Sequence, residues 1–101
     1  MKKLTQQEIQ DRLGALPGWT PDQGAIRRQY TFKSFPDAIA YVTRLAFDAQ
    51  EADHHPDLQI SYRKVTVTWS THDAGGLTAK DFDGARQSDM IASHMAAGDK
   101  A

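Results

Sequence analysis

Between Ser34 and Trp69 the chain has few folding choices. A long apolar-periodic segment is forced to stop by Pro56, and two short alternating segments follow at once with only Arg63 and Lys64 between them. Ser34 as N-cap and Pro36 near the first turn open a helix on which Phe35, Ala38, Ile39, Val42, Leu45, Ala46 and Ala49 recur at helical spacing. A residue that precedes proline is pushed out of the helical region, so the helix ends before Pro56 and leaves His54 and His55 at its frayed end or in the exit turn. Beyond it, Leu58, Ile60 and Tyr62 alternate with polar neighbours, as do Val65, Val67 and Trp69, which predicts a hairpin.

The flanks extend the same plan. Thr5 with Glu8 matches a capping box, and Ile9 and Leu13 continue it as a short helix ending at Gly14, after which Leu16-Pro17-Gly18-Trp19 breaks the chain. From Ile26 to Lys33 the residues Ile26, Tyr30 and Phe32 share one parity and only Arg28 violates it, which predicts a half-buried strand. Gly75-Gly76 gives a flexible connection. Thr78 with Asp81 then resembles another helix start, continued by Phe82, Ala85, Ile91, Ala92 and Met95, with a tail expected to fray from Gly98. Strands linked by hairpins and separated by helices predict an α+β fold: an antiparallel four-stranded sheet with three helices packed on one face. With 101 residues, the chain is expected to form a single domain over 1–101.

Composition narrows the function. A formal net charge of -1 gives no electrostatic reason for nucleic acid or an anionic membrane as partner, and 40% apolar with 25% charged residues is ordinary globular usage. Cysteine is absent, which removes disulfides, thiolate nucleophiles and cysteine-ligated zinc. The polar N-terminus and the lack of a long apolar run argue against a signal peptide or membrane span, so a cytoplasmic protein is expected. Three of the four histidines, His54, His55 and His72, lie around the predicted turn and hairpin, with Asp81 beyond them. Imidazoles titrate near neutral pH, so such a cluster can supply a proton donor and an acceptor in one pocket. The hairpin would bring His72 back beside the pair. The plainer alternative leaves His54 and His55 beside helix C-terminal carbonyls and Asp81 in a capping box with Thr78. A metal is disfavoured because adjacent histidines in extended chain point apart and neither HxH nor HxxxH occurs. His94 reads as a surface residue. Trp19, in a Pro-Gly turn, either stacks on a planar ligand or closes the edge of the core.

At these positions the chain resembles the pterin-4a-carbinolamine dehydratase family, also called 4a-hydroxytetrahydrobiopterin dehydratases. The likeness runs from the Leu-Pro-Gly-Trp turn through Thr43-Arg44 to His54-His55-Pro56, Tyr62, Ser70-Thr71-His72-Asp73, Gly76-Leu77-Thr78 and Asp81. It meets the family's signature spacing of a histidine pair with proline, an aromatic, a third histidine and an aspartate. One departure is Gln50, where active members usually carry a charged residue four before the first histidine. The resemblance implies a hydro-lyase that dehydrates 4a-hydroxytetrahydropterin to quinonoid dihydropterin, recycling the cofactor of aromatic amino acid hydroxylases without a metal or redox cofactor. It implies His54 and His72 as the acid-base pair, His55 as the residue that binds and orients the pterin, and Asp81 as a partner that orients a histidine or stabilises its charge. By the same likeness Asp53, Ser70, Thr71 and Asp73 are candidates for hydrogen bonds to substrate, and Trp19 for covering the ring. A homo-oligomer, dimer or tetramer, is expected, with the second helix as the leading surface because Tyr41 and Phe47 supplement its apolar stripe. The family also implies an alternative: a protein-binding cofactor or assembly factor without essential catalysis.

Overall fold

Capping chemistry sets the helix starts. In the computed structural model, which describes residues 2–99 and the side chains of 2–95, the Thr5 hydroxyl accepts the Glu8 N–H while the Glu8 carboxylate accepts the Thr5 N–H. From this capping box α1 (Gln6–Leu13) runs to Gly14. Ser34 accepts the Asp37 N–H, Pro36 occupies the first turn, and α2 spans Phe35–Ala52. α3 (Ala79–Asp99) begins after Thr78, whose backbone N–H donates to Asp81. The tail expected to fray from Gly98 has helical backbone through Asp99; Lys100 and Ala101 lie outside the described residues.

Four antiparallel strands lie in the order β1-β2-β4-β3, namely β1 (Thr20–Asp22), β2 (Ala25–Thr31), β3 (Asp57–Ser61) and β4 (Lys64–Trp69). This is the expected α+β architecture, with the three helices against one face of the sheet. No alternation announces β1, because it is a short edge strand exposed throughout. Gln23 and Gly24, both at positive φ (50° and 80°), form the tight turn that joins it to β2. In the second hairpin Ser61 pairs with Lys64, so the turn is Tyr62-Arg63 rather than Arg63-Lys64. Tyr62, expected on the strand, is instead left-handed in the turn and exposed.

The core sits between the sheet and the helices. Ile26 and Tyr30 of β2 and Val65, Val67 and Trp69 of β4 face Ala38, Tyr41, Leu45 and Ala49 of α2 and Phe82, Ala85 and Ile91 of α3. The buried stripe of α2 is rotated from the expected one: Tyr41 is fully buried, whereas Phe35, Ile39 and Ala46 are exposed. The Tyr41 phenol reaches across to donate to the Ser88 carbonyl of α3 at 3.0 Å, so the helix–helix seam takes the aromatic. Arg28 breaks the β2 pattern because its inward guanidinium pairs with Asp89 of α3 at 3.0 Å. The same carboxylate accepts the Tyr30 hydroxyl at 2.5 Å and the Trp19 indole N–H at 3.1 Å. Trp19 is therefore packed into the core, as one of its two sequence readings expects. Its ring is buried, at a steep angle to that of Tyr30. Among the described residues no helix is long and apolar enough to cross a membrane.

Candidate active site at the exit of α2

The end of α2 separates its two histidines. Asp53 turns left-handed (φ 52°, ψ 41°), a conformation that aspartate tolerates better than most residues, and the His54 N–H then caps the Ala49 carbonyl at 3.1 Å. Consecutive side chains leave such a turn in different directions. His54 goes inward, with its side chain 14% exposed, and His55 stays at the surface.

His54 meets a buried carboxylate. Its Nε2 lies 2.6 Å from Asp81 Oδ1, while Asp81 Oδ2 accepts the Thr71 hydroxyl at 2.8 Å and the Thr78 N–H at 2.9 Å. Thr71 gives its proton to Asp81, so the 3.0 Å contact between the two threonine hydroxyls is donated by Thr78. Two donors on Oδ2 place Asp81 as a carboxylate, and a carboxylate Oδ1 at 2.6 Å takes the hydrogen of His54 Nε2. Nδ1 is the ring nitrogen left for chemistry. The capping role and the histidine-orienting role, offered as alternatives by the sequence, belong to one carboxylate. Among the described residues no buried side-chain polar atom lacks a partner.

The imidazole also stacks on Trp69, with ring centroids 5.3 Å apart and planes at 23°. Both rings border a cleft of about 550 Å³ between α2 and α3, floored by Leu45 and Ala49 and rimmed by Asp48, Glu51, Lys80, Asp83 and Gln87. Sequence reading misses this rim and treats Trp69 as core only. The available signal is the helical spacing of Lys80, Asp83 and Gln87, which puts them on one side of α3.

The other proposed residues do not line this cleft. His55 Nε2 lies 3.0 Å from Gln50 Oε1, so the amide at the departing position supplies a neutral acceptor. His72 opens an exposed 3-10 turn, His72–Ala74, closed by the bridge between Thr71 and Gly76. Thr71 joins that loop to His54 through Asp81. Its hydroxyl is thereby engaged within the protein. Ser70 is half-buried beside Trp69, while Asp53 and Asp73 are exposed. His94 is also at the surface, on α3. Among the described residues no group of three or more His, Cys, Asp or Glu side chains is placed to hold a metal ion.

Comparison with known proteins gives this site a context. The family model described as Pterin 4 alpha carbinolamine dehydratase matches residues 2–91. A Roseiflexus castenholzii protein provisionally named a pterin-4-alpha-carbinolamine dehydratase is 56% identical over 88 residues, or 87% of this chain and 95% of that protein. One provisionally so named from Picosynechococcus sp. is 51% identical over 89 residues, covering 88% of this chain and 97% of its own. Among solved structures, a transcriptional coactivator/pterin dehydratase from Brucella melitensis aligns with TM-score 0.86 at 36% identity, covering 89% of this chain and 98% of that one. A pterin dehydratase-like protein identified as a RuBisCO assembly factor in the alpha-carboxysome aligns with TM-score 0.61 at 19% identity, over 73% and 86% of the two chains, a likeness of fold alone.

Proposed function

Because the chain belongs to the pterin 4 alpha carbinolamine dehydratase family, we propose that it is a cytoplasmic hydro-lyase that converts 4a-hydroxytetrahydropterin to quinonoid dihydropterin and water. The observation that carries this reading is the His54–Asp81 pair, a half-buried imidazole with one nitrogen held by a carboxylate and the other left for substrate. The 4a-hydroxyl is a poor leaving group until it is protonated. Its departure leaves positive charge over C4a and N5, which is relieved when a base takes a ring proton, so one acid and one base suffice. His54 is one member of that pair through Nδ1, and His72 is the other. His55, steadied by Gln50, orients the pterin, while Asp53, Ser70 and Asp73 offer hydrogen bonds around it. Thr71 acts through Asp81. No step in this scheme calls for a metal or a redox cofactor.

The test is decay of 4a-hydroxytetrahydropterin with the purified protein. His54→Ala and His72→Ala are expected to lower kcat by about 10²–10⁴, and His55→Ala chiefly to raise KM. If all three folded variants keep near-parent rates, the histidines are structural and the chemistry lies with other residues; if the parent gives no decay above background, a protein-binding role replaces the enzymatic one. That second reading draws on the Brucella melitensis neighbour, whose name joins coactivator to dehydratase.

A further inference from the structure

The Asp81 contact holds only one edge of the His54 ring. An imidazole anchored through a single nitrogen still turns about that hydrogen bond, and the direction of Nδ1 turns with it. A second constraint is needed to fix the ring plane. Trp69 is placed to supply it, stacked on His54 at 5.3 Å and 23°.

The indole is itself clamped from α3. Its Nε1–H donates to Ser88 Oγ at 3.1 Å, and the Ser88 hydroxyl donates to the Gly84 carbonyl at 2.8 Å. Gly84 sits in the helix interior, where glycine is a poor choice for helix stability. Its φ is not positive, so backbone conformation does not demand it. Close approach does: a Cβ at Gly84 would lie 2.6 Å from Trp69 Cε2, inside any real contact distance. Asp81, Gly84 and Ser88 fall on one face of α3. A single helix face thus presents the carboxylate that holds the edge of His54 and the two residues that hold its stacking partner.

We propose that Trp69 is a positioning residue that fixes the plane of His54, with Gly84 and Ser88 fixing Trp69. The proposal rests on the reading of His54 as an acid-base group. Its test therefore pairs kinetics with the ring-nitrogen NMR signals of His54, which need no turnover. Trp69→Leu is expected to lower kcat by about 10²-fold with KM changed less than about twofold, as a misdirected catalytic group requires. The His54 ring signals should broaden or split as the plane is released. Trp69→Phe keeps an aromatic face and should recover most of the loss. Gly84→Ala adds a helix-favouring residue whose Cβ pushes on the indole, so it should disturb the same signals even where Trp69→Leu does not fold. A folded Trp69→Leu or Gly84→Ala protein with unaltered His54 signals overturns the proposal, as does Trp69→Phe losing as much kcat as Trp69→Leu. If His54→Ala keeps parent turnover, the catalytic reading fails while the ring signals still decide whether Trp69 positions His54.

Discussion

Two adjacent imidazoles leave α2 with different partners, and the difference sets what each can contribute. His54 faces a buried carboxylate that fixes its tautomer, whereas His55 faces an exposed amide that fixes orientation without adding charge. The molecule holds a second polar cluster away from this site. Asp89 gathers Trp19, Arg28 and Tyr30. Burial, reinforced by the neighbouring Tyr41 phenol and the Asp89 carboxylate, pushes the Tyr30 hydroxyl well above its ordinary 10.0, and burial raises Tyr41 as well. Both stay protonated in the folded chain at pH values where the unfolded chain has lost those protons. Above pH 10.0 the unfolded state therefore binds fewer protons, and stability falls as pH rises. Tyr30→Phe should lower stability by about 1–3 kcal/mol near neutral pH by removing a hydrogen-bond donor from the half-buried, charged Asp89. It should also make the alkaline decline shallower. Denaturant midpoints measured from about pH 8 to about pH 11 check this, and parallel curves for parent and variant would defeat it.

The elements show how much the sequence could reveal. The caps of α1 and α2 are legible because capping is a local exchange between a side chain and N–H groups nearby. β2 and β4 are legible from alternation, since one sheet face is buried and the other is not; β3 is legible from the alternation of Leu58 and Ile60, although Leu58 is half-buried and Ile60 exposed. β1 is not, because an exposed strand of three residues carries no such pattern. The phase of α2 differs from its sequence pattern at Tyr41, Phe35 and Ile39, because apolar spacing does not say which side of the stripe meets α3. Site legibility follows the same division. His54, Asp81 and Thr71 stand out in the sequence, but their hydrogen bonds link α3 to the loops after α2 and β4, which only the fold brings together. Trp19 is ambiguous in the sequence because a Pro-Gly turn gives no periodicity, while its indole is drawn in by Asp89, far along the chain. The α1 box also makes a prediction at this scale. The Thr5 backbone N–H, followed by its hydroxyl, holds the Glu8 carboxyl below its ordinary 4.5. The box is therefore intact above that value and opens as pH falls through the lower folded one. Protection factors of the α1 amides, corrected for intrinsic exchange, should fall across that acid window in the parent. Glu8→Gln should remove this pH dependence; an identical acid response in the variant would show that the box does not control the helix.

For the molecule as a whole, the apolar surface that stays uncovered is the remaining constraint. Tyr41, one of the aromatics expected to support association through α2, lies in the chain's own core, which leaves Phe47 as the outward aromatic at 71% exposure. Phe35 and Ile39 on the same helix and Met90 on α3 are also exposed, at 46%, 37% and 53%. Large apolar side chains gathered on one helix are costly to leave in water and are commonly covered by a partner. A second copy satisfies such a face by symmetry, because each chain offers the other the same surface. The expected outcome is a dimer or tetramer in sedimentation at micromolar concentration, with Phe47→Glu shifting it toward the 11.2 kDa chain. A parent protein that sediments as one species near 11.2 kDa overturns association through α2. Turnover by the dissociated variant then separates two arrangements. If Phe47→Glu is monomeric and keeps parent kcat, the His54–Asp81 site is complete within one chain. If kcat falls with dissociation while the fold persists, the neighbouring copy completes or steadies the site.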